Sequence, residues 1–146
     1  MRRILLQLLI GTVPLWVGYV LNAIITVMPI PILFISLLFL ILWTVLCYRS
    51  CVPGHSPTAQ AFLLCTFGFV MYLFVAYQEY VRGAYWVSWF GLATQMYFLP
   101  GLSAAASISR IFLNVLAIAP VSLFEMVILF LLALAGCTLK VKKTGK

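Results

Sequence analysis

Two glutamates, one histidine and four cysteines supply the acid, base and thiol chemistry open to this chain, and no aspartate joins them. Glu125 stands inside the apolar run VSLFEMVILF at 121–130, and Glu79 stands in YQEYVRG at 77–83. His55 falls in RSCVPGHSPT, a turn broken by Pro53-Gly54. Hydrolytic chemistry needs a nucleophile beside a base, or two carboxylates within reach of one bond. Neither arrangement is visible, so a self-contained enzyme is not expected. Cys47, Cys51, Cys65 and Cys137 lack zinc-site spacing even with His55 added, and one histidine excludes bis-histidine haem ligation within the chain. The cysteines are read as small apolar filler with reduced thiols, and no metal or cofactor is expected.

The elements that must position these residues are apolar. Of 146 residues, 66% are hydrophobic and 8% charged, and the mean hydropathy is +1.21. A water-soluble domain of this length has no core large enough for that much apolar surface, so the sequence reads as one polytopic membrane domain over residues 1–146. The formal charge of +7 would suggest nucleic acid in a soluble protein. Here the basic residues flank apolar runs, where they set orientation and meet headgroups, so nucleic acid is not an expected partner.

A helix needs about 20 apolar residues to cross the hydrocarbon. Four stretches qualify: residues 4–27, 32–48, 59–77 and 111–138. Pro29 and Pro31 make MPIP a tight turn between the first two. Ser56 and Pro57 suit the start of the third. MRRILLQLLI opens like a secretory signal but continues apolar, so it reads as a retained anchor.

The segment 84–101 is ambiguous, because an uncharged stretch long enough for a fifth span runs from Gly83 to Ser109. Four spans place Arg2, Arg3, Arg49, Lys140, Lys142, Lys143 and Lys146 on one side against Arg82 and Arg110. Five spans put Arg2, Arg3, Arg49 and Arg110 against Arg82 and the four lysines, which leaves no bias. The positive-inside rule favours four spans with both termini cytoplasmic. The sequence therefore predicts an all-α integral membrane protein of four transmembrane helices, with an aromatic interfacial helix or re-entrant segment between helices three and four. Tyr85, Trp86, Trp89, Phe90, Tyr97 and Phe98 are expected at headgroup depth, as contacts for lipid or a partner.

An ionised residue near the centre of a span costs roughly 3 kcal/mol by insertion scales, which the surrounding leucines and phenylalanines offset. On one continuous helix Asn114 lies about 20° from Glu125, and Arg110, Ser122 and Gly136 within about 60°. Such a stripe should face protein, because lipid cannot satisfy its hydrogen bonds. Gly11, Gly18 and Asn22 offer a counterpart on helix one, where Pro14 predicts a kink. Cys65, Gly68, Tyr72 and Glu79 offer another on helix three. No basic residue sits inside a span, so Glu125 is expected to be neutral and bonded to a neighbouring side chain or to the carbonyl freed by Pro14. Glu79 is expected to pair with Arg82 or Arg110, or with Gln78 and Arg82 to bind a polar substrate in a vestibule at the outer surface.

These readings predict a small non-catalytic membrane subunit that packs against a larger membrane complex or copies of itself. The alternatives are a proton-coupled transporter or channel protomer using Glu125, with Asn22, Ser122 and Asn114 beside it, and an immunity-type membrane protein. The lipid bilayer and another membrane protein, or a homo-oligomer, are the expected partners.

Overall fold

The computed structural model describes residues 2–25, 31–83, 89–113 and 117–144, and all regular structure among them is helical. The helices are α1 (Arg2–Ile10), α2 (Val13–Ile25), α3 (Ile32–Ser50), α4 (Pro57–Tyr77), α5 (Trp89–Phe98), α6 (Leu102–Leu113) and α7 (Ile118–Thr144). Among the described residues four stretches are long and apolar enough to cross a membrane: Arg3–Ile25, Ile32–Ser50, Pro57–Arg82 and Ile118–Lys143.

The first of these is broken at Gly11-Thr12. Pro14 has no N–H to give the Ile10 carbonyl, and its ring crowds that position. The chain closes the gap locally, with the Thr12 hydroxyl donating to the Leu9 carbonyl at 2.8 Å and the Gly11 N–H to the Gln7 carbonyl at 3.0 Å. The break lets α1 lean on α4 while α2 leans on α5. A Cβ at Gly11 would stand 2.5 Å from the Leu64 carbonyl oxygen, and one at Gly18 would collide with the backbone of Met96. The small residues of helix one thus face protein, but they meet α4 and α5 rather than α7.

The core lies among α3, α4 and α7. The Trp43 indole is fully buried and donates to the Leu129 carbonyl at 3.0 Å, joining α3 to α7. Gly136 lets the α3 backbone at Thr44 and Tyr48 approach α7. Gly68 of α4 faces Met126 of α7, and Phe62 and Phe69 tilt against Phe130. These matched positions fix directions: α7 runs parallel to α3 and antiparallel to α4. Arg3, Arg49, Lys140, Lys142 and Lys143 consequently share one end of the bundle, and Lys140 stacks over the Tyr48 ring.

That end is stapled by two glutamines, Gln7 and Gln60. The buried Gln60 side chain donates to the Val52 and His55 carbonyls at 3.0 and 3.3 Å and accepts from the Val52 N–H at 2.6 Å. Gln7 of α1 donates to the same Gln60 oxygen at 3.1 Å. One glutamine therefore ties the α3–α4 turn to two helices. Ser56 occupies the N-cap of α4 with Pro57 next, but its hydroxyl makes no capping bond. Cys51 and Cys137 are joined as a disulfide with a Cα separation of 5.3 Å, which corrects the reading of all four cysteines as unlinked filler; Cys47 and Cys65 are buried and free.

Of the two forms expected for the segment between α4 and α7, the structure departs from the interfacial helix. The segment neither lies flat over the bundle end nor forms one long helix. Pro100 lacks an N–H and ends α5, and the chain turns through Leu99–Gly101 into α6. Exposure falls from 85% at Trp89 to 0% at Tyr97, stays low through the turn, and rises to 78% at Ile111. The α5–α6 pair is a helical hairpin whose tip is buried among the long helices.

Candidate functional site

The hairpin tip meets Glu125. α7 begins at Ile118, later than the expected 111, because residues 102–113 form the separate helix α6. Glu125 is therefore seven residues inside α7, about 10 Å from its start at 1.5 Å per residue. It is 1% exposed, and its Oε1 accepts the Gly101 N–H at 3.0 Å. A Cβ at Gly101 would strike that carboxyl, so only glycine permits the approach. The partner is a backbone N–H of the hairpin turn, not the expected side chain of a neighbouring helix or the carbonyl freed by Pro14.

The rest of the carboxyl is unsatisfied. Among the described residues, Oε2 of Glu125 and the hydroxyl of the fully buried Tyr97 both lack a hydrogen-bond partner, as does the Ser36 hydroxyl on α3. Tyr97 lies against Gly68, where a Cβ would sit 2.5 Å from its oxygen and 2.8 Å from the Met126 sulfur. Each orphaned buried polar atom costs about 1–3 kcal/mol. The core therefore has hydrogen-bonding capacity that the described residues leave unused.

The predicted polar stripe survives in part. Ser122 is buried one turn before Glu125, with Met126, Leu129, Ala133 and Cys137 continuing that face. Arg110 is on α6 and exposed, so it does not share a helix face with Glu125; Asn114 lies outside the described residues. Tyr85 and Trp86 also lie outside them, and Phe90 is in α5. Trp89 is exposed as expected. Tyr97 and Phe98 are not: both are buried core residues in edge-to-face contact, a correction to their reading as lipid or partner contacts. An aromatic-rich run fits headgroup depth and a buried hairpin equally well, so composition alone could not place them.

At the end opposite the lysines Glu79 makes neither expected ion pair among the described residues. Its Oε2 accepts the Ala119 N–H in the first turn of α7, satisfying one of the donors that a helix start leaves open. A π-helical turn over Gln78–Arg82, ended by Gly83 in the left-handed region (φ 60°), carries Glu79 at the end of α4. Arg82 is exposed.

Three predicted residues do converge. Asn22 of α2, Gln78 and Ser122 line one pocket of about 270 Å³, together with Thr94 and Gln95 of α5. Val75, Met96, Phe98, Leu99, Leu102 and Ile118 complete its wall. Its polar lining consists of amides and hydroxyls, with no charged side chain. Among the described residues no three His, Cys, Asp or Glu side chains gather as a metal-binding group. No protein-family model, curated protein or solved structure matches the chain.

Proposed function

We propose that this chain is a non-catalytic multi-pass membrane protein, a small subunit that packs against a larger membrane complex or against copies of itself. In this reading the four long helices span the bilayer with the basic end and both termini cytoplasmic, and the α5–α6 hairpin re-enters from the opposite face. The charge placement outweighs the Cys51–Cys137 pairing, a bond rare in a reducing compartment. The ten residues of α5 cover about 15 Å, half of a hydrocarbon core about 30 Å thick, which suits a hairpin that turns back near mid-membrane. Non-helical backbone at that depth is tolerated only where protein covers it, and Glu125 covers the Gly101 N–H.

The observation that carries the non-catalytic reading is the use of both carboxylates. Glu125 holds the hairpin tip and Glu79 holds the start of α7, so the chain's only two acids each accept a backbone N–H. Purification from gentle detergent tests the subunit role. Recovery of a stoichiometric unrelated membrane chain, or of a defined homo-oligomer, supports it; a monomer that alone carries a flux in liposomes contradicts it.

A second reading is favoured by the orphaned Oε2 of Glu125 and the Tyr97 hydroxyl. A buried carboxyl with one oxygen unengaged, in a core that also holds an unpaired phenol, has the groups to take and release a proton, as a proton-coupled transporter requires. Glu125→Gln separates the readings, because Gln keeps the acceptor for Gly101 while removing the titration. Intact assembly with loss of a proton-linked flux in reconstituted vesicles favours transport; intact assembly with function unchanged favours packing.

A further inference from the structure

The pocket beside the hairpin has the chemistry of a ligand site. The side chains of Gln78, Gln95 and Ser122 make no hydrogen bond to other described residues, yet all three border the same pocket of about 270 Å³. Thr94 spends its proton on the Gly91 carbonyl at 2.7 Å, which leaves its oxygen as an acceptor. Polar groups from α4's end, α5 and α7 thus converge with unused capacity, inside walls that are otherwise apolar. Packing alone does not explain this convergence, since a wall with nothing to bind is more stable when apolar.

The lining also sets the ligand's charge and shape. Among the described residues no cation or anion borders the pocket, so an ionised ligand would lose hydration with nothing to replace it. Amides both donate and accept, which suits a head bearing hydroxyl and carbonyl groups. Asn22 and Leu102 are the exposed members of the rim, on the flank of the bundle, while Thr94, Met96, Phe98 and Ser122 are buried at its base. A head seated on the amides would let an apolar chain leave past Leu102. We infer that the pocket binds a neutral lipid of the glycerol-ester type, its uncharged hydroxyl and ester head held by Gln78, Gln95 and Ser122.

This inference rests on the membrane reading above, and one experiment separates the two. The full chain is reconstituted in phosphatidylcholine vesicles, checked by flotation, and irradiated with a diazirine-bearing monoacylglycerol before peptide mapping. The expected label falls on peptides holding residues 89–102 and 118–122. Unlabelled monoacylglycerol displaces it, and a fatty acid of equal length, ionised at the assay pH, does not. Gln95→Leu with Ser122→Ala lowers saturable labelling by about twofold to tenfold for each hydrogen bond lost. Equal displacement by the fatty acid, equal labelling of these peptides by a headless diazirine alkane, or undiminished labelling of the double variant overturns the inference. If the double variant fails to float, the displacement pattern on the unaltered chain decides alone. Failure of the unaltered chain to float overturns the membrane reading and this inference with it.

Discussion

Gln60 and Glu125 are both buried polar side chains in apolar helices, at opposite regions of the bundle, and the protein treats them differently. Around Gln60 every side-chain polar atom is engaged: the oxygen accepts from Val52 and Gln7, and the nitrogen donates to Val52 and His55. At Glu125 one oxygen holds Gly101, while the other, like the Tyr97 hydroxyl, has no partner among the described residues. A fully satisfied network rigidifies; a partly satisfied one keeps room for a proton, a water or a changed arrangement. The basic end thus reads as a staple, and the hairpin end as the part of the molecule with chemistry to spare.

The largest effect is expected where the hairpin side of that contrast depends on shape. Gly18→Ala drives a methyl onto the Met96 backbone, which has no flexible side chain to yield. It should cost about 3 kcal/mol or abolish folding, read by thermal denaturation in detergent. Glu125→Ala should lose about 2–4 kcal/mol by opening a cavity and orphaning the Gly101 N–H, while Glu125→Gln stays within about 1 kcal/mol of the parent. A large loss in Glu125→Gln would mean that the ionisable group, not the acceptor, holds the tip.

Gln60→Leu probes the staple. It leaves the Val52 N–H and carbonyl without their side-chain partner, for an expected loss of about 1–3 kcal/mol in the same assay. Tyr97→Phe is the matching change at the hairpin end and removes a hydroxyl that bonds to nothing among the described residues. Its stability should lie within about 1 kcal/mol of the parent or rise. A loss as large as that of Gln60→Leu would mean that the phenol is engaged and that the contrast between the regions is false. Arg82→Ala, at an exposed cation with no ion pair to Glu79, should change stability by less than about 0.5 kcal/mol.

The same contrast explains what could be read from sequence. The long apolar helices follow from run length and flanking charge, and the interruption of helix one follows from Pro14. Glu125 stood out because a carboxylate in lipid is expensive. Gln7 and Gln60 did not, because a neutral amide within a few residues of a helix start passes for an interfacial residue. Gly101 as the partner of Glu125 was out of reach: the contact joins residues 24 apart through a turn whose depth composition does not encode. The start of α7 was misplaced for a related reason. Residues 111–118 stay apolar enough to extend a helix, and the Ala119 N–H that begins α7 is satisfied by Glu79, 40 residues earlier. Cys51 and Cys137, 86 residues apart, met only once α3 and α7 were seen to run parallel.

The central claim is that α5 and α6 form a hairpin returning to the side from which it enters, anchored at Glu125. Side-specific labelling with a membrane-impermeant maleimide tests it directly, using Trp89→Cys, Ala105→Cys and Ile111→Cys one at a time in oriented vesicles. Trp89 and Ile111 are exposed and Ala105, one turn past the tip, is fully buried. The account predicts labelling of positions 89 and 111 from the side opposite the lysine tail, with position 105 protected from both sides. Labelling of position 111 from the lysine side would mean that the segment crosses the membrane as a fifth span, and would contradict the hairpin.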